Sequence, residues 1–300
     1  MCLYIGKNSS FIAKSDIIVY KVLNKTSDGR YVTPSQGYPV KLDNMLKPEG
    51  IASEKPYGFK YCIEEGAIHA YTSSNGKDSK FRAIIKKGTK FWIQDDLEQI
   101  AAEELYITSE VAGKEETNFS DYLEEGVDVY LKDGRRCKLT DTFNKNDVLG
   151  IYGYDNQIVA TKYEELQLSK EYPLPGHPNV IRSCSMAKED MDGYGNTKQL
   201  KSLGINSEAL DYCERLGRDW YIPAFGQIKK IADNLLRINF TLKYLGKEPL
   251  PLGWFWSSTL RAKEYAWSCY SYGRDYWYCD GFDYDRVDDR YCVLPFLELS

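Results

Sequence analysis

The sequence predicts an α+β protein of two domains, residues 1–122 and 123–300. Three observations predict it. Strand-like runs rich in Val, Ile, Tyr and Trp occur in both halves, punctuated by Gly, Asn and Asp turns. Helical spacing of apolar residues runs through the second half, at 207–216 and 225–244. A length of 300 residues, 43% of them hydrophobic, suffices for about two cores.

In chain order, 17–23, 82–85 and 90–93 read as strands, separated by the turn signals Ser73-Ser74-Asn75-Gly76 and Lys87-Gly88. Residues 95–102 read as a short helix capped by Asp95 or Asp96. The patterned part of the second domain starts near Gly126. There 127–131 and 136–139 flank Asp133-Gly134, a hairpin signal. A second hairpin joins 148–152 to 157–160 through Gly153-Tyr154-Asp155-Asn156. The Pro-Gly-His-Pro stretch around His177 reads as extended loop. Asn206-Ser207 caps a helix to Leu216, with Ala209, Leu210 and Cys213 on one face. Ile228, Ile231, Leu235 and Ile238 then hold one helix from about 225 to 244.

A formal net charge of −5 argues against wholesale nucleic-acid binding, which requires a basic stripe. No apolar run approaches the roughly 20 residues of a membrane span. The N-terminus lacks a charged segment followed by a long apolar one, so the expectation is no signal peptide and synthesis in the cytoplasm, with release in a phage particle left open. Eight scattered cysteines form no CxxC pair, which excludes a zinc ribbon or a thioredoxin motif and favours thiols in a reducing compartment.

The last fifth of the chain is the most informative. Between Tyr265 and Tyr291 there is no Lys, Glu, Gln, Met, Leu or Ile. Tyr, Asp, Arg, Ser, Cys and Gly replace them, with Trp267 and Trp277 set among them. This is the composition of a contact surface. Tyr offers large amphipathic area at low entropic cost, and Arg offers a fork of donors. Alternation on two strands around Gly273-Arg274, with Trp267 and Trp277 inward, puts Ser268, Tyr270 and Tyr272 on one outer face with Tyr276, Tyr278 and Asp280. A loop-like segment from 281 to 290 adds Asp283, Tyr284, Asp285, Arg286, Asp288, Asp289 and Arg290. These residues and Arg274 are the candidate ligand-binding set.

Five segments in fixed order carry a family resemblance: Asp192-Gly193-Tyr194-Gly195-Asn196-Thr197; 217–227, Gly-Arg-Asp-Trp-Tyr-Ile-Pro-Ala-Phe-Gly-Gln; 253–259, Gly-Trp-Phe-Trp-Ser-Ser-Thr; Tyr265-Ala266-Trp267; and Val293-Leu294-Pro295-Phe296. Together they resemble the C-type-lectin-fold domains related to formylglycine-generating enzymes, over roughly 126–300. The start of the first domain is similar to proteins of Bacteroides-type phages. In one branch of this fold the C-terminal segment is the variable region of a diversity-generating retroelement. There, error-prone copying at adenines scatters codons such as AAC over Tyr, Asp, Ser, Cys, Gly, Arg and Phe, but never Trp, Lys, Glu, Gln or Met. The resemblance therefore implies a variable region at about 265–292 on a rigid scaffold that includes Trp256, Trp267 and Trp277.

The expected function is recognition of a protein or glycan, such as one on a bacterial surface, with the first domain anchoring the protein or assembling copies of it. No cofactor or metal is expected. The calcium ligands of sugar-binding C-type lectins are missing, since Glu248-Pro249 is followed by Leu250 and Trp267 by Ser268. In the stretch from Asp190 to Lys201, a calcium loop lacks its ligands at Tyr194 and Lys201, and local turn bonding accounts for the motif. Three alternatives stay open: an enzyme on the same fold, an oxidase through cysteines such as Cys269, Cys279 and Cys292 or a hydrolase through the Asp cluster; a structural phage protein with a fixed assembly edge; and a tyrosine face packed on the first domain.

Overall fold

Strand-forming runs dominate both halves, and the result is an α+β protein that is mostly sheet, with five α-helices among the described residues. The computed structural model describes residues 3–5, 10–34, 37–47, 54–57, 60–63, 67–74, 80–113, 116–176, 178–251, 253–270 and 284–299. It comprises two units, Met1–Tyr122 and Leu123–Ser300. Among the described residues no helix is long and apolar enough to cross a membrane.

The first unit centres on an eight-stranded antiparallel sheet. In spatial order its strands are Ser10–Ile12, Lys90–Ile93, Gln99–Ala102, Ile68–Tyr71, Ile17–Val22, Lys80–Ile85, Leu105–Val111 and Asn44–Leu46. Val19, Tyr20, Ala83, Ile85 and Ile100 are fully buried in it. The helix expected at 95–102 is instead a turn followed by a central strand. Asp96 accepts from the Glu98 amide at 2.9 Å and from Gln94 Nε2 at 3.0 Å, and the Gln94 amide donates to the Gln99 carbonyl at 2.9 Å. The acidic cap signal thus closes a hairpin, and Ile100, Ala101 and Ala102 gain more by burial between two strands than by one helical turn.

One feature of this sheet is costly. Lys21 is buried, and its Nζ donates to the His69 carbonyl at 2.5 Å. No carboxylate pairs with it among the described residues. Burial pulls the Lys21 ammonium down to about 8. His69 is pulled to about 4 by burial and by the Lys21 charge.

The second unit holds two sheets. The six-stranded one runs Arg136–Cys137, Val129–Leu131, Val148–Tyr152, Ile158–Ala160, Phe296–Leu297, Trp220–Tyr221. Both expected hairpins form here. Asp155 and Asn156 take φ of 39° and 64°, which short polar side chains tolerate. Helices α1 (Cys184–Glu189), α2 (Gly193–Ser202), α3 (Glu208–Leu216), α4 (Phe225–Ala232) and α5 (Leu235–Tyr244) pack in this unit. Ser207 caps α3 by accepting from the Leu210 amide. The single helix expected at 225–244 breaks at Asp233-Asn234, where Asn234 Nδ2 donates to the Gly153 carbonyl at 3.2 Å. Ile228, Ile231, Leu235 and Ile238 stay buried across the break, so the apolar period alone did not reveal it.

The motif segments meet in space. Gly193 packs so closely on Pro223-Ala224 that a Cβ there would lie 2.5 Å from the Ala224 nitrogen. Thr197 Oγ1 donates to the Ile222 carbonyl at 3.1 Å and accepts from its amide at 3.0 Å. Asp192 caps α2 by accepting from the Gly195 amide at 2.8 Å. Asp190 accepts from Asn196 at 2.8 Å and from Thr259 at 2.6 Å. These bonds tie the Asp190–Asn196 stretch to the 222–224 segment and to Thr259.

Candidate functional site

The tyrosine-rich segment belongs to a five-stranded sheet ordered Glu164–Gln167, Arg290–Val293, Trp254–Leu260, Tyr265–Tyr270, Tyr284–Arg286. Alternation along Tyr265–Tyr270 sends Trp267 and Cys269 into a core cluster with Phe225, Phe255 and Cys292. Ala266 points to a second cluster with Trp256, Leu260 and Val293. The sheet is covered on both faces.

That arrangement corrects one expectation. Ser268, placed by the sequence on an outer, ligand-facing surface, has no solvent exposure. It sits opposite Trp256, and its Oγ donates to Asp285 Oδ2 at 2.5 Å. Both faces of this strand pack against core clusters, so neither is wet. Ser268 is therefore a buried link between strands and leaves the ligand-facing set. A second correction concerns 281–290. Tyr284–Arg286 is a strand paired with Tyr265–Tyr270, and Arg290 begins another. Tyr272, Arg274, Tyr276, Trp277, Tyr278, Asp280 and Asp283 lie outside the described residues, as do the expected second strand, Cys279, His177 and the Asn75-Gly76 turn. Tyr270 is described as the last residue of its strand.

The scaffold residues are firmly held. Trp256 is fully buried, and its Nε1 donates to the Leu166 carbonyl at 3.1 Å. Trp267 is 1% exposed, and its Nε1 donates to the Ile181 carbonyl at 2.6 Å. A buried indole with its one donor satisfied is a rigid anchor.

Around these anchors the remaining candidates form two groups. In the first, the Arg261 guanidinium lies 3.3 Å from the Tyr284 ring centre, and Tyr284 meets Tyr265 edge-on at 5.2 Å and Trp267 at 6.0 Å. Arg286 lies 4.0 Å over Tyr172 and forks onto Asp288 at 3.0 and 2.8 Å. That fork holds the Asp288 carboxyl below its usual range. In the second group, Trp254 stacks on Tyr291 at 5.6 Å, and Trp256 packs on it at 4.7 Å. Burial, then the charge of Asp285 and a hydrogen bond to it, push the Tyr291 phenol up. Burial and Asp285 also push the Asp289 carboxyl up. Arg290 donates to Glu208 Oε2 at 2.7 Å and to the Glu165 carbonyl at 2.6 Å, which ties its strand to α3. Arg286 and Arg290 are thus exposed yet positioned, which lowers the entropic cost of using them in an interface.

Arg261, Tyr172 and Trp254 were not singled out as site residues by the sequence. Trp254 stands in the same motif as Trp256, Arg261 sits in the turn before Tyr265, and Tyr172 is brought in by folding. Among the described residues, no group of three or more His, Cys, Asp or Glu side chains could hold a metal ion. Cys269 and Cys292 are buried on the two strands flanking Phe255, and burial pushes the Cys292 thiol up to about 12, far from a reactive thiolate.

No family model matches the chain, and no curated protein matches it. A fimbrial protein from Bacteroides ovatus has a similar solved structure, at a TM-score of 0.43 and 12% sequence identity, covering 94% of this chain and 64% of that one. The chain therefore spans less than two thirds of that protein's length, and at this score the likeness assigns neither fold family nor function.

Proposed function

We propose that this protein is a ligand-binding, receptor-recognition protein. It displays a diversified Tyr-, Asp- and Arg-rich surface on a C-type-lectin-like C-terminal unit, as the variable protein of a diversity-generating retroelement in a phage or mobile element. The observation that carries this reading is the composition of 265–291, which lacks Lys, Glu, Gln, Met, Leu and Ile. The lectin-like reading is supported by the order of the motif segments and by their packing on one another. The rigid-scaffold reading is supported by the two satisfied indoles at Trp256 and Trp267. The N-terminal unit is read as the part that anchors or assembles, and the C-terminal one as a binder rather than a catalyst.

The test uses labelled full-length protein on panels of intact bacterial cells and their extracted surface polysaccharides. Saturable binding to some of them is expected. Tyr276→Ala and Tyr278→Ala are each expected to weaken it by about 2 kcal/mol, roughly 30-fold, with the fold intact. Binding that is indifferent to both substitutions contradicts the reading.

A further inference from the structure

A second surface of the C-terminal unit, outside 265–291, has the chemistry of a binding site. A cavity of about 290 Å³ opens between α2 and the segment that follows α3. Tyr194, Lys198 and Lys201 line it from α2, and Arg218, Trp220 and Tyr221 line it from the other side. Positions 194, 198 and 201 recur at helical spacing, so the helix presents one ring and two ammonium groups on a single face. The walls are rigid. Trp220 and Tyr221 are buried, and the Tyr221 hydroxyl donates to Gln157 Oε1 at 2.9 Å and accepts from Gln227 at 3.0 Å.

Three cationic side chains line this small space in a chain of net charge −5, with Glu298 and Asp192 the carboxylates that act on its Tyr221 wall. Their partners leave charge over. Lys201 pairs with Glu214 at 3.2 Å, in the only ion pair that any of the three makes among the described residues. Lys198 rests 4.0 Å over the Tyr194 ring, a contact that supplies no counter-charge. Arg218 is exposed and has neither an ion pair nor a hydrogen-bonded side chain among the described residues. Like charges held together cost free energy unless an anion sits between them, and a guanidinium with two ammonium groups matches an oxyanion. The volume lies near the lower end of ligand pockets, which suits one monosaccharide unit.

We infer that this cavity binds a small oxyanion-bearing ligand of sugar-acid or sugar-phosphate size. Arg218 takes the anion in a forked contact, Lys198 and Lys201 neutralise it, and the Tyr194 ring sets one wall. None of these residues falls in the tyrosine-rich window, so the site is constant whatever that window contains, and it stands independently of the reading above.

Calorimetric or NMR titration of the full chain with glucuronate, glucose 6-phosphate and neutral glucose tests the inference. At least one charged sugar is expected to bind saturably, more weakly as salt rises, while glucose does not. The double variant Lys198→Ala, Arg218→Ala is expected to lose at least about tenfold in affinity. Lys198→Arg keeps the charge and is expected to retain binding, and unchanged circular dichroism of each variant keeps folding out of the comparison. The inference is overturned if neither charged sugar saturates, if glucose binds as well as they do, or if the double variant binds like the parent. Retained binding by one charged sugar and not the other identifies carboxylate or phosphate as the group recognised.

Discussion

Trp267→Ala is expected to cost the C-terminal unit about 4 kcal/mol, the usual scale for removing a large aromatic from a core. The side chain is 1% exposed and packs on Phe225 at 5.7 Å and on Tyr284 at 6.0 Å, and its Nε1 satisfies the Ile181 carbonyl. The alanine variant leaves a cavity and an orphaned acceptor together. Domain stabilities are on the order of 5–15 kcal/mol, so this loss approaches the whole of a marginal one. Trp267→Phe keeps most of the volume and is expected to cost about 1–2 kcal/mol, chiefly for the lost hydrogen bond. Urea titration of the full chain, followed by near-ultraviolet circular dichroism, separates the two. A cost below about 1 kcal/mol for the alanine variant means that Trp267 is not the anchor described here.

Lys21→Met is expected to stabilise the N-terminal unit. The folded state holds the Lys21 ammonium at about 8 against an ordinary 10.5. The unfolded chain therefore binds the proton more tightly between those values, and stability rises with pH across that window. Below about pH 8 the full cost of the buried charge is present, roughly 3 kcal/mol at 1.36 kcal/mol per pH unit. Methionine removes that cost and also the hydrogen bond to the His69 carbonyl, worth about 1 kcal/mol, for a net gain of about 2 kcal/mol near neutrality. The gain is expected to fade as pH rises towards 10.5. Urea titrations of parent and variant at about pH 7 and about pH 10 check both sign and trend. Destabilisation near neutrality, or a gain that grows with pH, contradicts the assignment.

Turn chemistry was the most legible part of the fold. Asp133-Gly134 and Asp155-Asn156 made the hairpins that their side chains allow, and Ser207 capped the helix it preceded. Errors arose where tertiary packing overrode a local signal. Asp95-Asp96 resembles a helix cap, but the apolar run after it is buried in the middle of a sheet. The break at Asp233-Asn234 is invisible in an apolar period that continues through it. At the site, the anchoring tryptophans were legible because a Trp among small polar residues has few other uses. Ser268 was misplaced because period-2 alternation gives two faces without saying whether either is wet. Tyr172 reaches the site from a distant position, and nothing local in the sequence marks it; Arg261 lies four residues before Tyr265, just outside the compositional window.

Both faces of the five-stranded sheet are packed, so the edge around Tyr284, Arg286 and Asp288 rests on a rigid base. Arg–Asp and Arg–aromatic contacts hold these side chains in place, and in the proposed interface that order would add affinity without added area. Under the proposed recognition function, two or three such anchors would give useful binding, and several copies on one particle would multiply it.

The most direct measurement is on the DNA. The gene and its flanks should be sequenced from several isolates and the codons for residues 265–291 aligned. The account predicts substitutions concentrated in that window, falling at adenines of a nearby near-copy of the gene's 3′ end, with the codons for Trp256, Trp267 and Trp277 unchanged. An invariant window with no neighbouring copy and no reverse transcriptase contradicts it, and makes the tyrosine-rich segment a fixed interface.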